Sequence, residues 1–499
     1  MARLVVLVHG WSVSSTETYG RLADRLEAEA GGDIDVRNIW LSKYVSFDDD
    51  VRVEDLSRAF EAAVRRELGD EIDAGKRMIC ITHSTGGPVI RDWWDRFYLS
   101  ASRSGPCPMS HLIMLAPPNF GSALAQLGKS KLGRIKTWFQ GVEPGQKVLD
   151  WLELGSQEAW DLNRRWIETE DPAGGRNPVF LFSLIGQSID RKLYDHLNSY
   201  TGELGSDGVV RVPSANLNAT YIRLEQQAPV LVTDGPTPRY EAPELKAKQP
   251  RRPPRTAFAV VPGRAHSGAE MGIMRSIGAD PGRPHPVVDA ILKCIRVENA
   301  RDYARVCDEF DAQTAQVLSD EFIEKEERLL PDRWFFHDPC SMVVFRVVDH
   351  RGYPLEAFDL KLIAGETGDP NLLPEGFALD RQANQHQRSH LTYFLNAAKM
   401  LGCPEVRNPD RPDEVLRKAV AGAEKLGLEL TPHQQTGLVH FLPCRLQATV
   451  RTLNGVVRPH ETTLVEIVLQ RIVRQRAYEL TQDRAAKDFR RGPDGPAVG

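Results

Sequence analysis

The chain has 499 residues, 41% hydrophobic and 26% charged, which is the composition of an ordinary globular protein with more material than one core usually serves. A formal charge of -5 is spread over interleaved signs, so no global field recruits nucleic acid, and anion binding would need a local patch. No apolar stretch approaches the roughly 18 to 20 residues that span a bilayer, and seven scattered cysteines without Cys-x-x-Cys spacing argue against a zinc site or a disulfide framework.

The first residues run straight into Leu4-Val5-Val6-Leu7-Val8, too short for a secretory signal and read as a core strand. A cytoplasmic product is the expectation, with export by a route that leaves no cleaved signal still open. Up to about residue 297, β-branched runs alternate with helical patterns, as in a parallel sheet covered on both faces. Strands are expected at 4–8, 36–41, 78–82, 111–116, 179–185, 220–224 and 257–261, with helices at 19–30, 53–68, 87–97 and 286–297. Residues 122–170 interrupt this rhythm with Leu- and Trp-bearing helical patterns, an insertion placed where caps usually sit.

Residues 298–334 read as a charged, solvated helical connector. Beyond them, 335–480 reads as a second, β-rich domain, with a hairpin of 341–348 and 358–364, strands at 446–453 and 462–473, and a helix near 413–426. The end, 481–499, is charged and Gly/Pro-rich and is read as a flexible tail.

Chemistry concentrates at Ile81-Thr82-His83-Ser84-Thr85-Gly86-Gly87. The apolar strand at 78–81 feeds this turn, and Pro88 opens a helix whose apolar side carries Val89, Ile90, Trp93 and Trp94. A serine becomes a nucleophile when it is exposed on such a tight strand-to-helix turn beside a base, and Gly86 and Gly87 supply the small neighbours. Thr82 stands where the pattern has a glycine, so crowding is expected there. A serine in an ordinary Gly-rich turn is the plainer reading, and the strand-turn-helix order weighs against it.

An acyl-transfer oxyanion needs two backbone donors, one from the residue after the nucleophile and one from the loop after an early strand. Thr85 provides the first, and Val8-His9-Gly10-Trp11 has the form of the second, with Trp11 as donor. His9, Gly10, His83 and Gly86 would support the turn and the loop.

With these pieces the chain resembles the lipase and esterase branch of the α/β-hydrolase superfamily, including inositol-deacylase-like and bacterial phospholipase members. The resemblance rests on Leu-Val-His-Gly-Trp at 7–11, the turn at 82–87, Leu115-Ala116-Pro117-Pro118-Asn119-Phe120-Gly121-Ser122, and Ser206-Asp207-Gly208-Val209-Val210-Arg211-Val212-Pro213-Ser214, and it covers about the first 300 residues. It implies an α/β-hydrolase fold, ester hydrolysis through an acyl-enzyme, and Asp207 as the acid of a Ser-Asp-His triad. Chain order then asks for a histidine after the last core strand, where His266 lies. His285 and His196 are rivals for the base, and Asp234 and Asp190 for the acid.

For substrate, the apolar insertion and two basic groups (Lys129, Lys131, Arg134, Lys136; Lys246, Lys248, Arg251, Arg252, Arg255) fit a lipid or membrane surface, though buried packing explains the insertion at least as well and a solvated loop is the commoner reading of such basic runs. No cofactor is called for. His386 and His390 have i, i+4 spacing but no third ligand, so no metal is assigned. The second domain carries no catalytic signature; docking on a membrane, on the hydrolase mouth or on a protein partner is open, with a stabilising module the plainer reading. The leading expectation is a phospholipase or related lipase, with a bacterial antagonism effector as one setting. A soluble esterase or acyltransferase on small esters, and a hydrolase-like binding protein without turnover, are the alternatives.

Overall fold

A computed structural model describes residues 2–9, 19–44, 49–99, 105–127, 145–189, 203–233, 239–240, 243–326, 333–433 and 439–473. Six strands, β1 (Arg3–His9), β2 (Ile34–Trp40), β3 (Met78–His83), β4 (Met109–Leu115), β5 (Phe180–Ile185) and one at Ala257–Val260, form a sheet in which every pairing is parallel. Its order puts β2 and β1 at one end, then β3, β4, β5 and Ala257–Val260. The chain leaves β1 outward to β2 and returns on the other side to β3. The carboxyl ends of β1 and β3 therefore flank a switch point, where parallel sheets of this kind place their sites.

The period-2 alternation of a strand explains why both faces are covered. Val5 and Leu7 of β1, Ile79 and Ile81 of β3, and Ile113 and Leu115 of β4 point to one side. There they meet α1 (Leu22–Ala30) and a helix at Pro286–Ile295. Val6, Val8, Cys80, Leu112 and Met114 point to the other, against α2 (Val53–Asp73) and α3 (Gly86–Trp94). Two further helices, α4 (Gln146–Leu152) and α5 (Gln157–Glu168), bury Trp151, Trp160 and Trp166 in the same layer. The described part of the expected cap insertion is thus packing material; its residues 128–144, with Leu132, Ile135, Trp138, Phe139 and the first basic group, lie outside the described residues.

Among the described residues of 298–334 the expected helix forms, but it is not a solvated connector. Asn299 caps a helix, Ala300–Asp320, by accepting from the Arg301 and Asp302 amides. That helix buries Tyr303, Val306, Cys307 and Phe310 on the sheet edge, where Thr314 Oγ1 accepts the Val260 amide. Its charge density hid a buried stripe on one face. A short antiparallel pair, Ile323–Glu326 with Arg333–Phe336, follows.

A second sheet differs from expectation in its membership. The strand expected at 220–224 forms β6 (Thr220–Gln226) and leaves the first sheet: it pairs in parallel with Thr462–Leu469, while Leu245–Ala247 closes the edge. Apolar alternation signals a strand without naming its sheet. Nor is there a hairpin at 341–364. Cys340–Asp349 has both edges taken, by His390–Asn396 and by Thr462–Leu469, so Phe358–Ala364 crosses instead to a three-stranded antiparallel sheet with Lys425–Pro432 and Cys444–Thr449. The helix expected near 413–426 is absent, since Val415–Arg417 is a strand paired with Val406–Arg407 and Lys425–Pro432 alternates in burial at period 2. Residues 450–453 form a helical turn.

The second sheet is covered on both sides. Val343, Phe345, Val347, Val465 and Ile467 face the three-stranded sheet. Met342, Val344 and Leu464 face the helices of the first layer. This is an α/β-hydrolase architecture extended by a β-rich layer built largely, but not wholly, from the C-terminal half.

Burial holds several histidines neutral, among them His111, stacked on Phe182 at 6.0 Å and pushed down to about 4, and His390, against Trp160 and pushed down to about 3. A depressed histidine contributes stability that is present above the ordinary value near 6.5 and is lost as pH falls. Each should remove about 1.4 kcal/mol for every pH unit below that value until it titrates in the fold. Urea midpoints measured from about pH 7.5 down to about pH 5 should therefore fall, and less steeply in His111→Phe; a flat profile contradicts the assignment.

Candidate active site

The turn after β3 is strained in the way the sequence requires. Ser84 sits at φ 51, a left-handed conformation that L-residues avoid, and its amide donates to the Leu115 carbonyl at 2.9 Å. A Cβ on Gly87 would lie 2.9 Å from the Pro117 Cβ and 3.2 Å from the Met114 sulfur, so only glycine lets α3 start this close to the end of β4. Thr82 is accommodated because Gly86 lacks a Cβ: one placed there would sit 3.2 Å from the Thr82 Cβ. The crowding is real, and the glycine four residues later absorbs it. Thr85, buried, opens α3 directly behind the serine.

Asp207 is completely buried in the turn between β5 and β6. Its Oδ1 accepts from the amides of Val209 at 3.0 Å and Val210 at 2.8 Å, which leaves Oδ2 aimed at His266 Nδ1, 2.9 Å away. His266 lies on the loop after Ala257–Val260, 1% exposed, and its amide donates to the Asp207 carbonyl at 2.9 Å. The two residues are joined by backbone as well as side chain. His266 Nε2 stands 3.2 Å from Ser84 Oγ. An imidazole in this position can take a hydroxyl proton on one nitrogen while a carboxylate fixes the tautomer on the other.

His83 packs beside this line, its ring centroid 4.9 Å from that of His266 and its Nε2 3.4 Å from the His266 carbonyl. Burial first, and the neighbouring imidazole second, hold it well below the ordinary histidine range. A neutral His83 donates to that carbonyl and adds no positive charge next to the base. Gly10 and Trp11 lie outside the described residues, as does the side chain of His9.

The rivals sort differently. His285 precedes the Pro286–Ile295 helix with Nε2 3.1 Å from Ser276 Oγ, away from Ser84, and is held near pH 4, chiefly by burial. His196, Asp190 and Asp234 lie outside the described residues. His386 and His390 share no helix: His386 pairs with Asp150 at 3.3 Å, and His390 opens a strand. Among the described residues no three His, Cys, Asp or Glu side chains are grouped to hold a metal, and no helix is long and apolar enough to cross a membrane. The second basic group is largely committed within the chain, with Lys248 on Glu225, Arg251 on Glu168, Arg252 on Glu461 and Arg255 on Asp308 and Asp311.

Two features escaped the sequence. One is His83 as a packed neighbour of the base, although its place next to the serine was visible. The other is a buried guanidinium four residues past Asp207: Arg211 grips Glu203 and reaches Asp380 on the β-rich layer. No sequence signal connects positions 211 and 380.

A parallel sheet with a switch point after β1, a strained serine after β3, and a buried Ser-His-Asp line define an α/β-hydrolase of the lipase and esterase branch. Comparison narrows this. The chain is 38% identical to phospholipase PlaB from Legionella pneumophila over 98% of both chains, with a TM-score of 0.82, and a second structure of that protein, in complex with thio-NAD, matches at 38% identity, 98% of both chains and a TM-score of 0.81. Mature lipase BlEst2 from Bacillus licheniformis is similar at 19% identity over 43% of this chain and 79% of that one, with a TM-score of 0.31. No family model and no curated protein matches the sequence. The chain belongs to the family of phospholipase PlaB.

Gly87→Val should force the Pro117 contact apart and cost about 1–3 kcal/mol of stability, read from urea unfolding. A neutral result would mean that α3 and the end of β4 can separate freely.

Proposed function

We propose that this protein hydrolyses carboxylic esters of phospholipids through an acyl-enzyme on Ser84. The observation that carries the reading is the hydrogen-bonded line from Ser84 Oγ through His266 to Asp207, in a chain 38% identical along nearly its whole length to a phospholipase.

His266 Nε2 removes the Ser84 proton as Oγ attacks the ester carbonyl, and Asp207 stabilises the imidazolium that forms. The Thr85 amide, at the start of α3, donates to the developing oxyanion, and Trp11 is the second donor that the sequence assigns. The imidazolium protonates the departing alcohol; water, activated by the same nitrogen, then releases the fatty acid. Substrate class follows from the relative: PlaB is a phospholipase, and lipid esters are the corresponding substrate here.

Fatty acid release from mixed phospholipid vesicles tests the reading directly. Wild-type protein should release it and should label with a fluorophosphonate. Ser84→Ala should lose both, and Asp207→Asn should lose activity by about ten-thousandfold while remaining folded. Cleavage of short nitrophenyl esters without vesicle hydrolysis would favour a small-ester esterase, and a folded wild type that neither labels nor turns over would favour a binding protein.

A further inference from the structure

The turn that presents Asp207 is not held by the first layer alone. Within it, Asp207 N donates to the Val210 carbonyl at 3.1 Å, Val212 N to the Gly205 carbonyl at 2.9 Å, and Ser206 bridges to Arg211. The Val209 and Val210 amides that orient the Asp207 carboxylate therefore move with the backbone of Arg211. That residue is 2% exposed. Its guanidinium makes a two-pronged contact with Glu203, both at 2.8 Å, bonds Asp380, and lies 4.3 Å over the Phe394 ring. Asp380 and Phe394 belong to the β-rich layer, on Ala378–Ala383 and His390–Asn396.

Other contacts from that layer meet the same turn. A Cβ on Gly205, at φ 76, would sit 2.9 Å from Cys340 Sγ and 3.3 Å from the edge of Phe394. Thr462 Oγ1 donates to the Pro213 carbonyl at 2.8 Å, and Asn216 donates to the His460 carbonyl at 2.9 Å. A buried guanidinium needs its charge met, and a carboxylate from each layer meets it here.

We infer that Asp380 is a positioning residue for the Ser84–His266–Asp207 line: through Arg211 it fixes the turn that aims the Asp207 carboxylate, so the β-rich layer completes the hydrolase site. This rests on the hydrolytic reading above. Loss of the Asp380 charge loosens the 207–211 backbone, the carboxylate loses its aim on His266 Nδ1, and the chemical step slows while substrate binding does not.

The experiment compares full-length wild type, Asp380→Asn, Phe394→Leu, and Glu366→Gln as a control that removes an exposed ion pair with Lys425 elsewhere on the same layer. Turnover of a short nitrophenyl ester, fluorophosphonate labelling rate and thermal melting are measured on each. Asp380→Asn should lower kcat and labelling rate by about 10- to 100-fold, with KM nearly unchanged and melting still cooperative, because small misplacements of a catalytic group cost about that much. Glu366→Gln should match wild type. If Asp380→Asn does not fold, Phe394→Leu, which keeps both carboxylates and removes the ring beneath the guanidinium, carries the same expectation at the smaller end of that range. Wild-type kcat in a folded Asp380→Asn, or an equal loss in Glu366→Gln, overturns the inference alone. A wild type that neither labels nor turns over defeats the hydrolytic reading and this inference with it.

Discussion

The strained turn at Ser84 is the constraint around which the first layer is arranged. A left-handed serine costs about 1–3 kcal/mol and persists only where its surroundings overdetermine it. Here the Leu115 carbonyl holds its amide, Gly86 yields to Thr82, and Gly87 lets α3 come down on the end of β4. Behind the turn, the buried Arg91 of α3 bonds Asn119 after β4 and Asn163 of α5, and Asn163 in turn bonds the Asn119 carbonyl. Strain at one residue is thus offset by closure of several elements around it. The reward is geometric: the hydroxyl projects from the sheet toward an imidazole delivered by a different strand.

The imidazole and its carboxylate are buried together, which removes water from competition for their hydrogen bond. The His266 amide also donates to the Asp207 carbonyl, so the acid and base loops form a single unit despite the distance between them in sequence. What fixes that unit from outside is the second sheet. Because Cys340–Asp349 and Thr462–Leu469 carry buried apolar residues on both faces, with the Arg346–Glu466 ion pair among them, that sheet lies between the three-stranded sheet and the helices of the first layer. Its placement beside the Asp207 turn follows from that double burial.

Much of the first layer was legible because its signals are local. Apolar runs bounded by turns marked β1, β3, β4 and β5, and the order strand, turn, glycines, proline and helix marked the serine. Asp207 was legible from resemblance and His266 from chain order, and the structure brings both to Ser84. What failed has a shared cause. The hairpin at 341–364, the sheet assignment of 220–224 and the solvated connector at 298–334 all depend on which surface an element buries, and that is decided by partners remote in sequence. Nothing in the sequence joins Arg211 to Asp380 and Phe394, which with Glu203 surround it. The helix expected at 413–426 reflects helix-favouring composition overruled by strand pairing.

The excursion of β6 into the second sheet interleaves the two layers along the chain. Asp207 precedes it, the strand that leads to His266 follows it, and the partner of β6 is Thr462–Leu469, with Thr220 opposite Thr463. During synthesis, β6 leaves the ribosome long before the strand it pairs with, and until then offers an unpaired edge and a bare apolar face. The acid and the base are complete in sequence well before the sheet that threads between them can close. Assembly of this site is therefore tied to Thr462–Leu469, a strand made long after His266, and a nascent chain holding all three of its polar residues is still short of the surface that brings them to rest.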